Sequence, residues 1–125
     1  MEVSIEEIKD AVSKRLSVLD KDFAEMKRRG ERFTVEFFLS NVALAVESAV
    51  RDVLKRYLRE GVTCGKSLWL LEGQARLAVN CPVPGTEKRI LVSMDPNFMT
   101  EIGSKFSDVA LWIPLNEWKF KVEVY

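Results

Sequence analysis

The spacing of apolar residues changes once along this chain, near Gly61, from the three- and four-residue steps of amphipathic helices to the two-residue alternation of strands. Ser4 and Glu7 stand in a capping-box arrangement, so a helix begins there. Ile5, Ile8, Val12, Leu16, Leu19, Phe23 and Met26 then recur at helical steps, and Gly30 supplies a left-handed stop after Lys27, Arg28 and Arg29. A helix of this extent is about 38 Å long, and its single apolar stripe needs a partner of matching length. Val35, Phe38, Leu39, Val42, Val46, Ala49, Val50, Val53 and Tyr57 supply that partner, which ends at Gly61 after Lys55, Arg56 and Arg59. The pair reads as an antiparallel helical hairpin. The residues from Phe33 to Leu39 are also aromatic and β-branched enough for a strand, so the second helix starts either before them or at Ser40.

Phe37 and Leu44 fall on the opposite side of the second helix from its main stripe. Something must cover them. The sheet of the same chain is the simpler cover, and a second subunit is the alternative.

Beyond Gly61, alternation fixes strand registers, because a one-residue slip turns every apolar side chain outward. A hairpin around Glu72 and Gly73 sets Leu70 opposite Ala75 and Leu68 opposite Leu77, with Trp69 beside Arg76 on the other face. The same register brings Cys64 opposite Cys81, close enough for a disulfide. Free buried thiols are the expected state in a reducing cytoplasm unless the source is a hyperthermophile. Lys88 to Met94 reads as a third strand after a turn over Pro82 to Thr86, and a short helix is expected over 96–102. Val109, Leu111 and Ile113 alternate with Asp108, Ala110 and Trp112, and Trp118, Phe120, Val122 and Val124 alternate with Lys119, Lys121, Glu123 and Tyr125; with Leu115 and Asn116 as the turn, Val109 faces Val122, Leu111 faces Phe120 and Ile113 faces Trp118.

These elements specify an α+β chain in which an N-terminal antiparallel helical hairpin packs on one face of a mostly antiparallel sheet of about five strands. One domain over 1–125 is expected, with the hairpin in 1–61 and the sheet half in 62–125. Composition agrees, since 47% hydrophobic and 30% charged residues suit a soluble globular chain rather than a disordered one or a membrane span. The acidic first residues are unlike an export signal, which places the protein in the cytoplasm. Nineteen basic residues balance nineteen acidic ones, twelve of each through Gly61 and seven of each after it, so neither half is a polycation suited to nucleic acid. A single glutamine among so many charged residues hints at a heat-adapted source.

The chemistry on offer is narrow. With no histidine, a histidine-based acid/base pair or triad is impossible within the chain. The segment from Gly61 to Ser67 has a P-loop look, but it is one residue short between its glycines and leads from a helix into a strand, the reverse of what phosphate binding requires. The basic clusters Lys27 to Arg32 and Lys55 to Arg59 sit at helix C-termini, where the helix dipole favours cations, and at opposite ends of the hairpin.

Asp108 before one strand and Lys121, Glu123 and Tyr125 on the next form an arrangement that resembles the core of the PD-(D/E)xK nuclease superfamily. The resemblance implies that Asp108 and Glu123 hold a magnesium ion that activates water against a phosphodiester, with Glu36 or Glu47 as the preceding helix carboxylate. The expected register sets Asp108 across from Glu123, where two like charges need a cation or water between them. Tyr125 occupies the lysine position of that pattern and Ser107 the proline position, leaving Lys121 to substitute as the catalytic lysine.

The first expectation for function is a non-catalytic protein that works by association, as a homodimer or an accessory subunit, through Phe37 and Leu44 or through Trp69 or Trp112. It needs no cofactor. The alternatives are the magnesium-dependent nuclease, which alone would engage nucleic acid, and a small-ligand carrier with a cavity between helices and sheet.

Overall fold

A computed structural model describes residues 4–31, 35–57, 62–71, 74–94 and 120–125. Two long helices come first, α1 (Ile5–Arg28) and α2 (Val35–Tyr57), and strands β1 (Gly65–Leu71), β2 (Gln74–Pro82), β3 (Arg89–Met94) and β4 (Phe120–Val124) follow. The strands form one antiparallel sheet in the order β1-β2-β3-β4. The expected fifth strand, around Val109 to Ile113, and the short helix over 96–102 lie outside the described residues.

Both ends of α1 follow from their local chemistry. The Ser4 side-chain oxygen accepts from the Glu7 amide at 3.3 Å, satisfying one of the donors that a helix start leaves unpaired. At the other end Gly30 takes φ 74°, while the Glu31 amide donates to Met26 O and the Gly30 amide to Lys27 O, each at 3.0 Å. These two bonds make a Schellman motif, which glycine favours because it has no Cβ to clash at positive φ.

The second helix begins at Val35 rather than Ser40. Aromatic and β-branched content is outweighed here by periodicity, because only a helix places Phe38, Leu39 and Val42 on the face that carries Val46, Ala49, Val50 and Val53. All seven are buried. Ala43 and Leu54 extend this face beyond the expected stripe. The breadth is needed because α2 meets α1 on one flank and β1 and β2 on the next, whereas α1 rests against α2 and β4.

Apolar contact holds the hairpin together. Ile8, Val12, Leu16 and Phe23 of α1 are buried against α2, and Phe23 packs its ring 4.7 Å from that of Phe38 in an edge contact. Two ion pairs also cross the seam, Arg56 to Glu7 at 2.8 Å and Arg15 to Asp52 at 3.1 Å. Their exposed side chains limit each to about 0–1 kcal/mol. Burying one side chain of the size of Phe23 contributes about 1.5–3 kcal/mol.

Alternation divides the sheet into two faces. Val79, Val92 and Val122 make one cross-strand row, and Cys81, Ile90 and Val124 the next, all within or against the core beneath the helices. On the opposite face Ala78, Asn80, Leu91 and Ser93 are half-buried and Lys121 is exposed. The β1–β2 register is the one read from the sequence, with Leu68 opposite Leu77, Trp69 opposite Arg76 and Leu70 opposite Ala75. The pairing of β4 with β3 was not anticipated. It joins strands separated by 25 residues and is set by matching the buried rows rather than by a turn.

Cys64 and Cys81 are joined in a disulfide, with their Cα atoms 4.3 Å apart. This corrects the expectation of free thiols. The opposition of the two residues is as expected, and once both sulfurs sit on the buried face at this separation a covalent bond is geometrically available.

Candidate functional site

Among the described residues, the outer side of α2 leaves two large apolar groups exposed. Phe37 and Leu44 are 47% and 53% exposed, although Leu39, Val42 and Val46 on the same helix are fully buried. Seven residues are nearly two helical turns, so Phe37 and Leu44 stand in line along one side. The Phe37 ring also touches Phe23 edge-on, with centroids 6.4 Å apart, which makes it a bridge between core and surface. Arg51, seven residues past Leu44, continues the same line. It is half-buried, and its Nε is enclosed with no hydrogen-bond acceptor among the described residues.

The flanks of this line are polar and anchored within the chain. Asn41 Nδ2 donates to Phe37 O at 2.8 Å, and Ser48 Oγ accepts from Arg15 Nη2. Glu47 is a buried charged residue, and its Oε1 accepts from Lys66 Nζ of β1 at 2.8 Å. Lys66 shares the helix-covered face of the sheet, opposite buried Val79, and its long stem carries the ammonium out to the carboxylate. Removing the amine strands a carboxylate among apolar neighbours. Lys66→Ala is therefore expected to lower stability by about 1–3 kcal/mol. Replacing both partners together, by Glu47→Leu with Lys66→Met, is expected to cost less than Lys66→Ala alone. Urea unfolding midpoints of the two variants check this ordering.

The residues proposed for phosphodiester chemistry are only partly described. Asp108 lies outside the described residues, as does Trp112, and the side chains of Glu36 and Trp69 do too. Glu123 Oε1 accepts from Lys121 Nζ at 2.7 Å on the outer face of the sheet, where Glu123 pairs in register with Leu91 and Lys121 with Ser93. Tyr125, which stands at the lysine position of the nuclease pattern, exchanges backbone hydrogen bonds with Arg89. Its hydroxyl accepts from Asn80 Nδ2 at 3.1 Å, and Asn80 Oδ1 accepts from Arg89 Nε at 2.7 Å. Glu47, the helix carboxylate of the same proposal, is committed to Lys66. Among the described residues, no three acidic or cysteine side chains converge as metal ligands.

A groove of about 250 Å³ runs along the solvent side of the helical seam, lined by Ala11, Val18, Ala49 and the charged residues Lys14, Arg15, Asp52 and Arg56. Its cations are taken up by Asp10, Asp52 and Glu7. The buried side chains of the helices and the sheet form one cluster in the interval where a carrier would hold its ligand.

No known protein family matches the chain, and neither a curated protein nor a solved structure shows significant similarity to it. No helix among the described residues is long and apolar enough to cross a membrane.

Proposed function

We propose that this protein is non-catalytic and works by association, as a homodimer or as an accessory subunit, through the outer side of α2 around Phe37 and Leu44. The supporting observation is the exposure of these two large apolar side chains, two turns apart, on a helix whose other side is fully buried. Apolar and aromatic groups clustered in this way characterise the centres of protein interfaces. Balanced charge also suits a surface that recognises protein rather than polyanion.

A cytoplasmic location belongs to the same proposal. A disulfide persists in that compartment chiefly in hyperthermophile proteins, which agrees with the scarcity of glutamine.

Light scattering over a range of concentrations, together with capture of partners on the immobilised chain, tests the reading. Concentration-dependent mass or a stoichiometric companion that is lost in Leu44→Asp supports it. A monomer at every concentration with no companion overturns it.

The Lys121–Glu123 contact is the observation that keeps the nuclease as a second reading, because it brings together two of its three proposed residues. Association predicts no cleavage of DNA or RNA in magnesium. Cleavage abolished by Asp108→Ala would instead install the nuclease.

A further inference from the structure

Phe37, Leu44 and Arg51 are equally spaced along one side of α2, with Leu44 at the midpoint; Phe37 and Leu44 are exposed and Arg51 is half-buried. An aromatic ring thus sits at one end of the line and a guanidinium at the other. A row with this order complements its own reverse. When a second α2 is laid antiparallel about a twofold axis through Leu44, residues equally far from Leu44 on either side meet. Leu44 meets its own copy, Phe37 meets Arg51 of the partner subunit twice over, and Ser40 meets Ser48 of the partner subunit.

We propose that the surface around Leu44 binds a second copy of this chain in that geometry. The inference rests on the association reading and names its partner.

Each juxtaposition has a physical reason. Phe37 presents a half-exposed ring, and a guanidinium stacks on an aromatic face without needing a hydrogen-bond acceptor. That suits Arg51, whose Nε is already enclosed and unpaired among the described residues. Ser40 is small and exposed, and Ser48 is small with its hydroxyl bonded to Arg15 of its own chain. Glu47 is buried with its carboxylate held by Lys66 of its own chain, so it brings no like charge to the contact. Twofold docking uses the same patch on both subunits, so one line of residues supplies both halves of the contact. An acidic peptide is a poorer fit, since it would satisfy Arg51 but leave Phe37 and Leu44 against polar groups.

A few turns of paired helix cover less than the roughly 800 Å² per partner of a standard stable complex. Monomer and dimer therefore exchange, and the dimer population rises with concentration.

The test uses the full chain with its disulfide intact. Sedimentation velocity from micromolar to millimolar concentration is expected to show the average mass rising towards that of a dimer. Phe37→Ala and Arg51→Ala are each expected to weaken dimerisation by about 3- to 10-fold, and the double variant by little more than either alone because they remove the same contact. Leu44→Cys, which places a thiol on the axis, is expected to cross-link under mild oxidation at least about ten times faster than Val18→Cys, an equally exposed site on α1.

A monomer throughout the concentration range overturns self-docking; capture of a different protein in that case leaves the broader association reading standing. A dimer in which Leu44→Cys cross-links no faster than Val18→Cys also overturns this geometry, and it moves the contact to another surface.

Discussion

Val46→Asp is expected to lower the unfolding free energy by more than about 4 kcal/mol, while Leu44→Asp, two residues earlier on the same helix, changes it by no more than about 0.5 kcal/mol. Val46 has no exposed surface and sits within the cluster formed by α1, α2 and the sheet. A carboxylate there must either be buried without a partner or drag water into the core, and both are costly. Leu44 is 53% exposed, and its replacement exchanges one solvated side chain for another. Whole-chain stability is of order 5–15 kcal/mol, so the first variant is expected to be largely unfolded near the upper end of the physiological temperature range. Circular dichroism melts at concentrations where only monomer is present check both values. Equal destabilisation by the two substitutions would mean that α2 does not have an inner and an outer side as described.

Reduction of the Cys64–Cys81 disulfide is expected to cost about 3 kcal/mol, the value for constraining a loop of this length in the unfolded chain. The two residues are 17 apart in sequence, and the bond encloses the whole β1–β2 hairpin. For a chain of this size the loss corresponds to a fall of about 10 °C in melting temperature. The fold itself should survive, because both sulfurs are buried among apolar side chains where a thiol packs as a small hydrophobe. Calorimetry with and without reductant, alongside the Cys64→Ala/Cys81→Ala double variant, measures the effect. Thiol titration in denaturant without reductant should find no free thiol. Two titratable thiols per chain would show that the bond does not form.

How far the sequence carried these conclusions differs from element to element. The ends of α1 were legible because Ser4, Glu7 and Gly30 each act within a few residues, and so was the β1–β2 register, which the turn signal of Glu72 and Gly73 and the alternation of Leu68 and Leu70 against Ala75 and Leu77 point to. The disulfide was half legible. Alternation opposes Cys64 to Cys81, but whether two opposed thiols are oxidised depends on redox conditions that residue order does not encode. The partnership of β4 with β3 was missed because alternation fixes which side chains point inward and says nothing about which distant strand lies alongside. At the candidate site, Phe37 and Leu44 were identified by their departure from the main stripe of α2. The contact of Phe37 with Phe23, however, depends on how the two helices cross. Glu47 was named only as a nuclease carboxylate, and its tie to Lys66 was hidden because both residues read as surface charges. The break that Lys66 makes in the apolar alternation of Cys64 and Leu68 was the available signal.

Every assignment of inner and outer surface depends on α1 and α2 covering the side of the sheet that carries Val79, Val92 and Val122 rather than the side that carries Ala78, Asn80, Leu91 and Ser93. Thiol labelling of Val92→Cys and Ser93→Cys, adjacent residues on opposite sides of β3, examines this most directly. With the native disulfide retained, the cysteine at half-buried position 93 should react without unfolding of the protein, and the one at 92 only as fast as the protein unfolds. Comparable fast labelling at both positions would contradict the account, because it would mean that no layer of helices shields the row formed by Val79, Val92 and Val122.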